Sequence, residues 1–252
     1  MVWGIFFSSD FDAFSPKGAF RGYHAALAAH FNARQVPGLT PKHPPRYVFT
    51  DDRPLDGDGK PYEVFQIYVL HVSEKFHSEL GENGYHRPPL LPIAAHEWPK
   101  EFVYDRTYAR KAALMEGPNR MYFVAEPLRE IIERLEPGVH HFNPIRVLLP
   151  KGEEHPVQHH MMVVGRWLSA FRLQESDPKS LWDTDSPSPS IGLPLKERCR
   201  GVAMSAEAIG SAHLWCERHL RRLTFCMSDR LQAEITAAGL HIPPHYRMRT
   251  SE

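Results

Sequence analysis

Residues 121–144 read "MYFVAEPLREIIERLEPGVHHFNP", and one β-to-α transition in this stretch sets the architecture of the whole chain. "MYFVA" is rich in the aromatic and β-branched residues that suit a pleated, half-buried surface, so it reads as a strand. Pro127 follows at once. Proline is tolerated in a first helical turn, where its missing N–H would have no partner anyway. Leu128, Ile131, Ile132 and Leu135 then fall at i, i+3, i+4 and i+7, the apolar face of an amphipathic helix. Gly138 supplies a left-handed stop, and an extended exit follows.

The same order of parts recurs twice. "LTFCMSDRLQAEITAAGLHIPP" covers residues 223–244, and "YVLHVSEKFHSELGENGYHRPP" covers 68–89. In each, an apolar run ends at Ser73, Ala125 or Ser228, and an acid follows: Glu74, Glu126 or Asp229. Ser at that place accepts a bond from an orphan helical N–H, and the acid faces the positive end of the helix dipole. Apolar pairs four apart come next, then Gly84, Gly138 or Gly239, with His86, His140 or His241 two residues later. Internal duplication and convergence on common β-α grammar both account for this pattern.

Outward from these units, "VWGIFF" (2–7), "RYVFT" (46–50) and "EVFQIYVLHV" (63–72) read as strands, and "KGAFRGYHAALAAHFNAR" (17–34) and "RTYARKAALME" (106–116) as helices. Asp58-Gly59 is a hairpin signal. "FNPIRVLL" and "HHMMVVGRWL" form a strand pair, "GVAMS", "AHLWCER" and "RRLTFCM" are strands, and residues 175–196 are a polar, Pro/Ser-rich surface loop. The expectation is an α+β fold, a mixed or mostly antiparallel sheet with several short helices, divided at 1–119 and 120–252 but packed as one compact unit.

Composition limits the functions available. Thirty Lys+Arg balance thirty Asp+Glu in 252 residues, so there is no global basic excess to hold phosphates, and a nucleic-acid partner is not expected. No apolar run is long enough to cross a bilayer, and no basic region precedes the first apolar run, so neither a membrane span nor a signal peptide is expected. The three cysteines, Cys199, Cys216 and Cys226, show no metal or redox spacing, and an odd count points to reduced thiols and the cytoplasm.

The two end segments, "MYFVAEPLREIIERL…HHFNPIRVLL" and "LTFCMSDRLQAEITAAGLHIPPHYRM", together resemble immunity protein family eleven, whose members accompany bacterial polymorphic toxins. The likeness lies in a strand ending in Ser-acid, a short helix and Phe-x-Pro, then a strand pair, a variable middle, and a second strand, Ser-acid, helix and glycine. It spans about residues 120–248. Ala125 stands where Ser is usual, and "GLHIPPHYRM" lacks the Gly-Leu-x-Phe finish. Residues 1–119 match only loosely. The resemblance implies a protein that binds and neutralises a cognate toxin domain by stoichiometric occlusion, in the cytoplasm, with no catalytic residues, cofactor or metal.

Motifs for chemistry are sparse. "HLWCERH" offers His213, Cys216 and His219 at a spacing that fits zinc only on a helix, and the segment reads as a strand. His140-His141 and His159-His160 are adjacent pairs, which point to opposite faces of strands. These histidines carry the alternative reading, a metal-dependent, histidine-ligated hydrolytic enzyme. The "LDGDGKPYE" stretch fails as a calcium loop, since Pro54 and Phe65 occupy the carboxylate positions. Ser8-Ser9-Asp10 reads as a cap or turn, and Cys199 lacks an identified base. The basic segment "ERHLRRL" could touch phosphates or form a solvated face. The 175–196 loop sets Trp182 among Asp177, Asp183 and Asp185. A large aromatic there either folds back on the domain or anchors a partner, and its acids would suit a basic one. Trp182, Asp183 and Asp185 are the candidate partner-binding residues.

Overall fold

A computed structural model describes residues 1–7, 12–34, 63–77, 79–80, 85–89, 92–109 and 111–251. The expected strand at 46–50, the Asp58-Gly59 hairpin, Ser8-Ser9-Asp10 and Gly84 lie outside these residues. The first half contains β1 (Val2–Ile5), β2 (Gly18–Phe20), α1 (Tyr23–Arg34), α2 (Glu63–Ser73), β3 (Glu79–Leu80), β4 (His86–Arg87), β5 (Glu101–Tyr104), β6 (Leu114–Glu116) and β7 (Tyr122–Ala125). Next come α3 (Glu126–Leu135), β8 (His141–Leu148), β9 (His159–Val163), β10 (Trp167–Leu168), β11 (Leu181–Trp182), β12 (Ser190–Ile191) and α4 (Leu195–Cys199). The chain closes with β13 (Ala203–Ser205), α5 (Ala206–Ile209), β14 (Leu214–Glu217), β15 (Phe225–Ser228), α6 (Asp229–Ala237) and β16 (His245–Ser251).

These elements make the expected α+β fold around two mixed six-stranded sheets. One has the order β10-β14-β15-β1-β16-β13, the other β2-β5-β8-β9-β7-β6. Most pairs are antiparallel, while β10/β14, β13/β16 and β5/β8 are parallel. Alternation along each strand assigns its two faces to different cores. On β7, Phe123 packs with Tyr23, Leu27 and Tyr68 from α1 and α2, and Val124 packs with Leu128 and Ile132 from α3. On β15, Phe225 and Met227 join that same α3 core, and Cys226 turns to a third core with Trp215 and Met248. The facing sides of the two sheets therefore share one core, into which α3 and α6 pack. It leaves an apolar gap of ≈ 10 Å³, far too small for a substrate.

The β-to-α unit holds at 121–138 and 225–239. Ser228 Oγ accepts from the Leu231 N–H at 3.2 Å, while Ala125 provides no side-chain cap. Gly138 and Gly239 close the helices at φ +70 and +65. A further copy occurs at 203–210, where Ser205 caps the short α5 through Ala208 N–H and Gly210 ends it at φ +53.

Residues 68–89 are not a copy. The expected strand at 63–72 is the helix α2, and Ser73 is its last residue, donating to the Val69 carbonyl at 2.9 Å instead of capping a helix start. Its aromatic and β-branched content favours strand, but Phe65, Tyr68, Val69, Val72 and Phe76 are buried, and their spacing is helical. Among its described residues, the expected helix at 106–116 is also absent. Ala113 donates to the His241 carbonyl and accepts from Ala125 N–H, so tertiary pairing holds the alanines extended and the segment ends as β6. The 175–196 loop contains β11 and β12; it buries Ser180 and Ser188 and packs Ile191 into the third core.

Candidate partner-binding surface

The sequence-predicted histidines and cysteines are dispersed over several elements. Among the described residues, no three His, Cys, Asp or Glu side chains group in a way that could hold a metal. His140 is buried 3.0 Å from Glu136, whose other oxygen lies 3.0 Å from Arg166 Nε and which accepts the Leu214 N–H at 2.7 Å. Burial alone would raise the Glu136 carboxyl. Bonds from His140 and from the backbone of His213 and Leu214 hold it below the usual range instead. This network joins the end of α3 to β14 in the other sheet.

His141 is exposed. His159 is buried, with neither ring nitrogen in a well-formed hydrogen bond, and its ring meets His155 edge-on at 4.7 Å. His160 Nδ1 lies 3.0 Å from Glu126. His213 Nδ1 is 2.7 Å from Ser228 Oγ, a hydroxyl already committed as the α6 cap. His219 pairs with Ser169 Oγ at 2.9 Å and Cys216 is buried on β14, while His213 and His219 lie beyond the two ends of that strand. Burial pushes the Cys199 thiol up to about 12, which removes its thiolate at neutral pH.

Glu217 is a second buried carboxylate. It accepts the N–H groups of Ala170, Phe171 and His219. Burial dominates these bonds and pushes its carboxyl up to about 7. Those bonds fix the start of the 170–200 region against β14.

Trp182 stands on that region. Asp177 accepts from Lys179 N–H and caps a short 3-10 turn at 178–180. The chain then enters β11, where Leu181 pairs with Ile191 and Trp182 with Ser190. Ile191 is buried, so Leu181 faces inward with it and Trp182 faces outward, 67% exposed. Trp182 has therefore not folded back into the core. It is nevertheless held. The Arg222 guanidinium sits 6.0 Å from its ring centre, a cation–π approach at the edge of useful range. The neighbouring Arg221 binds the Asp183 carboxylate, and its backbone N–H donates to Pro189 at 2.9 Å. Asp185 is exposed. Leu193, just past β12, is 63% exposed.

Two of the three predicted partner-binding residues thus meet residues that sequence reasoning did not single out individually. Asp183 and Trp182 lie against Arg221 and Arg222 of the "ERHLRRL" stretch. The signal was the basic run itself, but nothing local paired it with a loop some forty residues earlier. Asp183 and Arg222 both adopt left-handed backbone conformations, φ 61 and φ 69. Such conformations are uncommon for residues other than glycine and gather at functional sites.

Among the described residues, no helix is long and apolar enough to cross a membrane. No curated protein matches the chain. The model of the Immunity protein family (Imm11) matches residues 42–242, which extends the likeness seen in the end segments back through α2, β5 and β6. That span takes in all three β-to-α units, the arginine run and the Trp182 loop, and is well over half of the 252 residues, so this chain belongs to the immunity protein family Imm11.

Proposed function

We propose that this chain binds a cognate bacterial toxin domain in the cytoplasm and neutralises it by stoichiometric occlusion, with the β11–β12 loop as a principal contact. Membership of an immunity family supports the reaction class: recognition, with no bond made or broken by this chain. The single observation that supports the place is Trp182, which is two-thirds exposed on β11 with the Arg222 guanidinium 6.0 Å from its ring centre. Large, restrained aromatics lose little side-chain freedom on binding and dominate interface energetics. Asp183 acts by bonding Arg221 and holding the loop, and Asp185 contributes at the rim.

Co-expression tests this reading. A domain encoded by a gene neighbouring this chain's own that arrests growth when expressed alone should be tolerated when the chain is co-expressed. Continued arrest, with both proteins present in the soluble fraction, would defeat the immunity reading.

A further inference from the structure

We infer that Arg221 is the positioning residue of the Trp182 contact: it acts on the partner through that indole and does not touch the partner itself. This rests on the toxin-binding reading above. The β11–β12 ribbon has two ladder pairs, Leu181 with Ile191 and Trp182 with Ser190. Two-stranded ribbons are marginal alone, so one this short takes its geometry from what it docks on. Its inner face docks through Ile191 and Leu181 on the third core. Trp182 is on the outer face, outside that core.

The β14–β15 connection holds the Trp182 end. Its base is fixed: Leu220 is buried in the third core, and Arg218 N–H donates to the Leu168 carbonyl at 3.0 Å. From there Arg221 grips both arms of the loop 183–189. Its guanidinium binds the Asp183 carboxylate, next to Trp182, on one arm. On the other arm its backbone N–H donates to the Pro189 carbonyl at 2.9 Å, and Ser190 forms a parallel bridge with Arg221. Between the arms, Ser186 N–H donates to the Asp183 carbonyl at 3.1 Å and Ser188 N–H donates to Ser186 Oγ at 3.3 Å. The Arg221 side chain is 32% exposed and its Nε is shielded from solvent, so the guanidinium is turned to the loop.

This placement differs from that of a basic residue at an interface rim. The Arg221 charge is matched by Asp183, and its planar fork fixes a direction as well as a distance. Asp183 sits at φ 61, a conformation that persists where surrounding contacts over-determine it, as the ion pair and the Ser186 bond do here. With Leu181 anchored inward and Asp183 anchored to Arg221, the backbone is fixed on either side of Trp182. Ordering that a free loop would undergo on binding is complete beforehand.

A double-mutant cycle tests this. The probe is the growth-arresting domain encoded by a neighbouring gene, titrated into the full chain. Arg221→Ala should weaken binding about tenfold. Asp183→Asn removes the same ion pair from the other side, keeps a residue that tolerates left-handed backbone, and should weaken binding likewise. In a Trp182→Ala background, Arg221→Ala should change affinity by less than about twofold, because no indole is left to position. A second readout needs no partner. The Trp182 indole N–H signal, assigned by its loss in Trp182→Phe, should show restrained nitrogen-15 relaxation in the wild-type chain and faster motion in Arg221→Ala. The buried Trp215 indole should stay unchanged. Equal losses of affinity from Arg221→Ala in both backgrounds, or a Trp182 indole equally restrained with and without Arg221, would overturn the inference and leave immunity standing. An indole freed as expected, in a chain whose wild type does not bind the domain, would instead defeat the toxin-binding reading.

Discussion

At the scale of single residues, His159 and Glu217 couple this fold to pH in opposite directions. Burial, then the neighbouring His155, push the His159 pKa down to about 4, with the nearby Val157 backbone opposing. Between the unfolded value near 6.5 and 4, the unfolded chain binds the proton and the folded chain does not, so stability falls as pH falls through that window. The full shift corresponds to roughly 3 kcal/mol. Glu217 is raised to about 7, so its contribution is complete below the ordinary carboxylate range and is lost as pH rises toward 7. The two partly cancel between pH 5 and 6.5. His159→Leu removes one arm: it keeps similar volume and deletes two polar atoms lacking well-formed bonds. Urea unfolding should show equal or higher stability at pH 7 and a clear gain over wild type at pH 5. A variant that loses stability at both pH values would show that His159 is engaged by a partner.

At the scale of elements, the β-to-α unit was legible because its determinants are local. The buried faces of α3 and α6 follow from their own apolar spacing, and their glycine stops from the need for positive φ. Ser228 shows the cap at work twice, accepting from Leu231 N–H and bonding His213 of β14. Ser228→Ala should cost about 1 kcal/mol for the cap alone. For a domain of this size, that predicts a melting temperature lower by about 2–4 °C. No change in a thermal scan would mean that the helix start is held by other contacts. The elements that were misread are those whose structure is decided elsewhere. α2 has strand-like residues but helical burial, and 106–116 has helical residues but an extended partner on either side. A further unit at 203–210 went unseen because α5 spans only Ala206–Ile209 and carries no amphipathic pattern.

At the scale of the molecule, the first and last strands are neighbours. β1 lies between β15 and β16, pairing Val2 with Ser228 on one side and with Met248 on the other. No periodicity in residues 2–5 announces partners more than two hundred residues away. The same long-range closure assembles the candidate surface. Trp182 and its acids were visible as an odd aromatic in a polar loop, whereas Arg221 and Arg222 joined Asp183 and Trp182 only through the β14–β15 connection. Sequence therefore pointed to an exposed aromatic, and the fold set Arg222 and Arg221 beside it and Asp183.

The most direct test of the central claim is calorimetric titration of the neighbour-encoded toxin domain into the wild-type chain and into Trp182→Ala, an exposed position whose truncation leaves the core intact. The account predicts one toxin bound per chain, with affinity weakened about 30-fold or more in the variant, as for a central aromatic hot spot. Binding of equal strength by both proteins would contradict it.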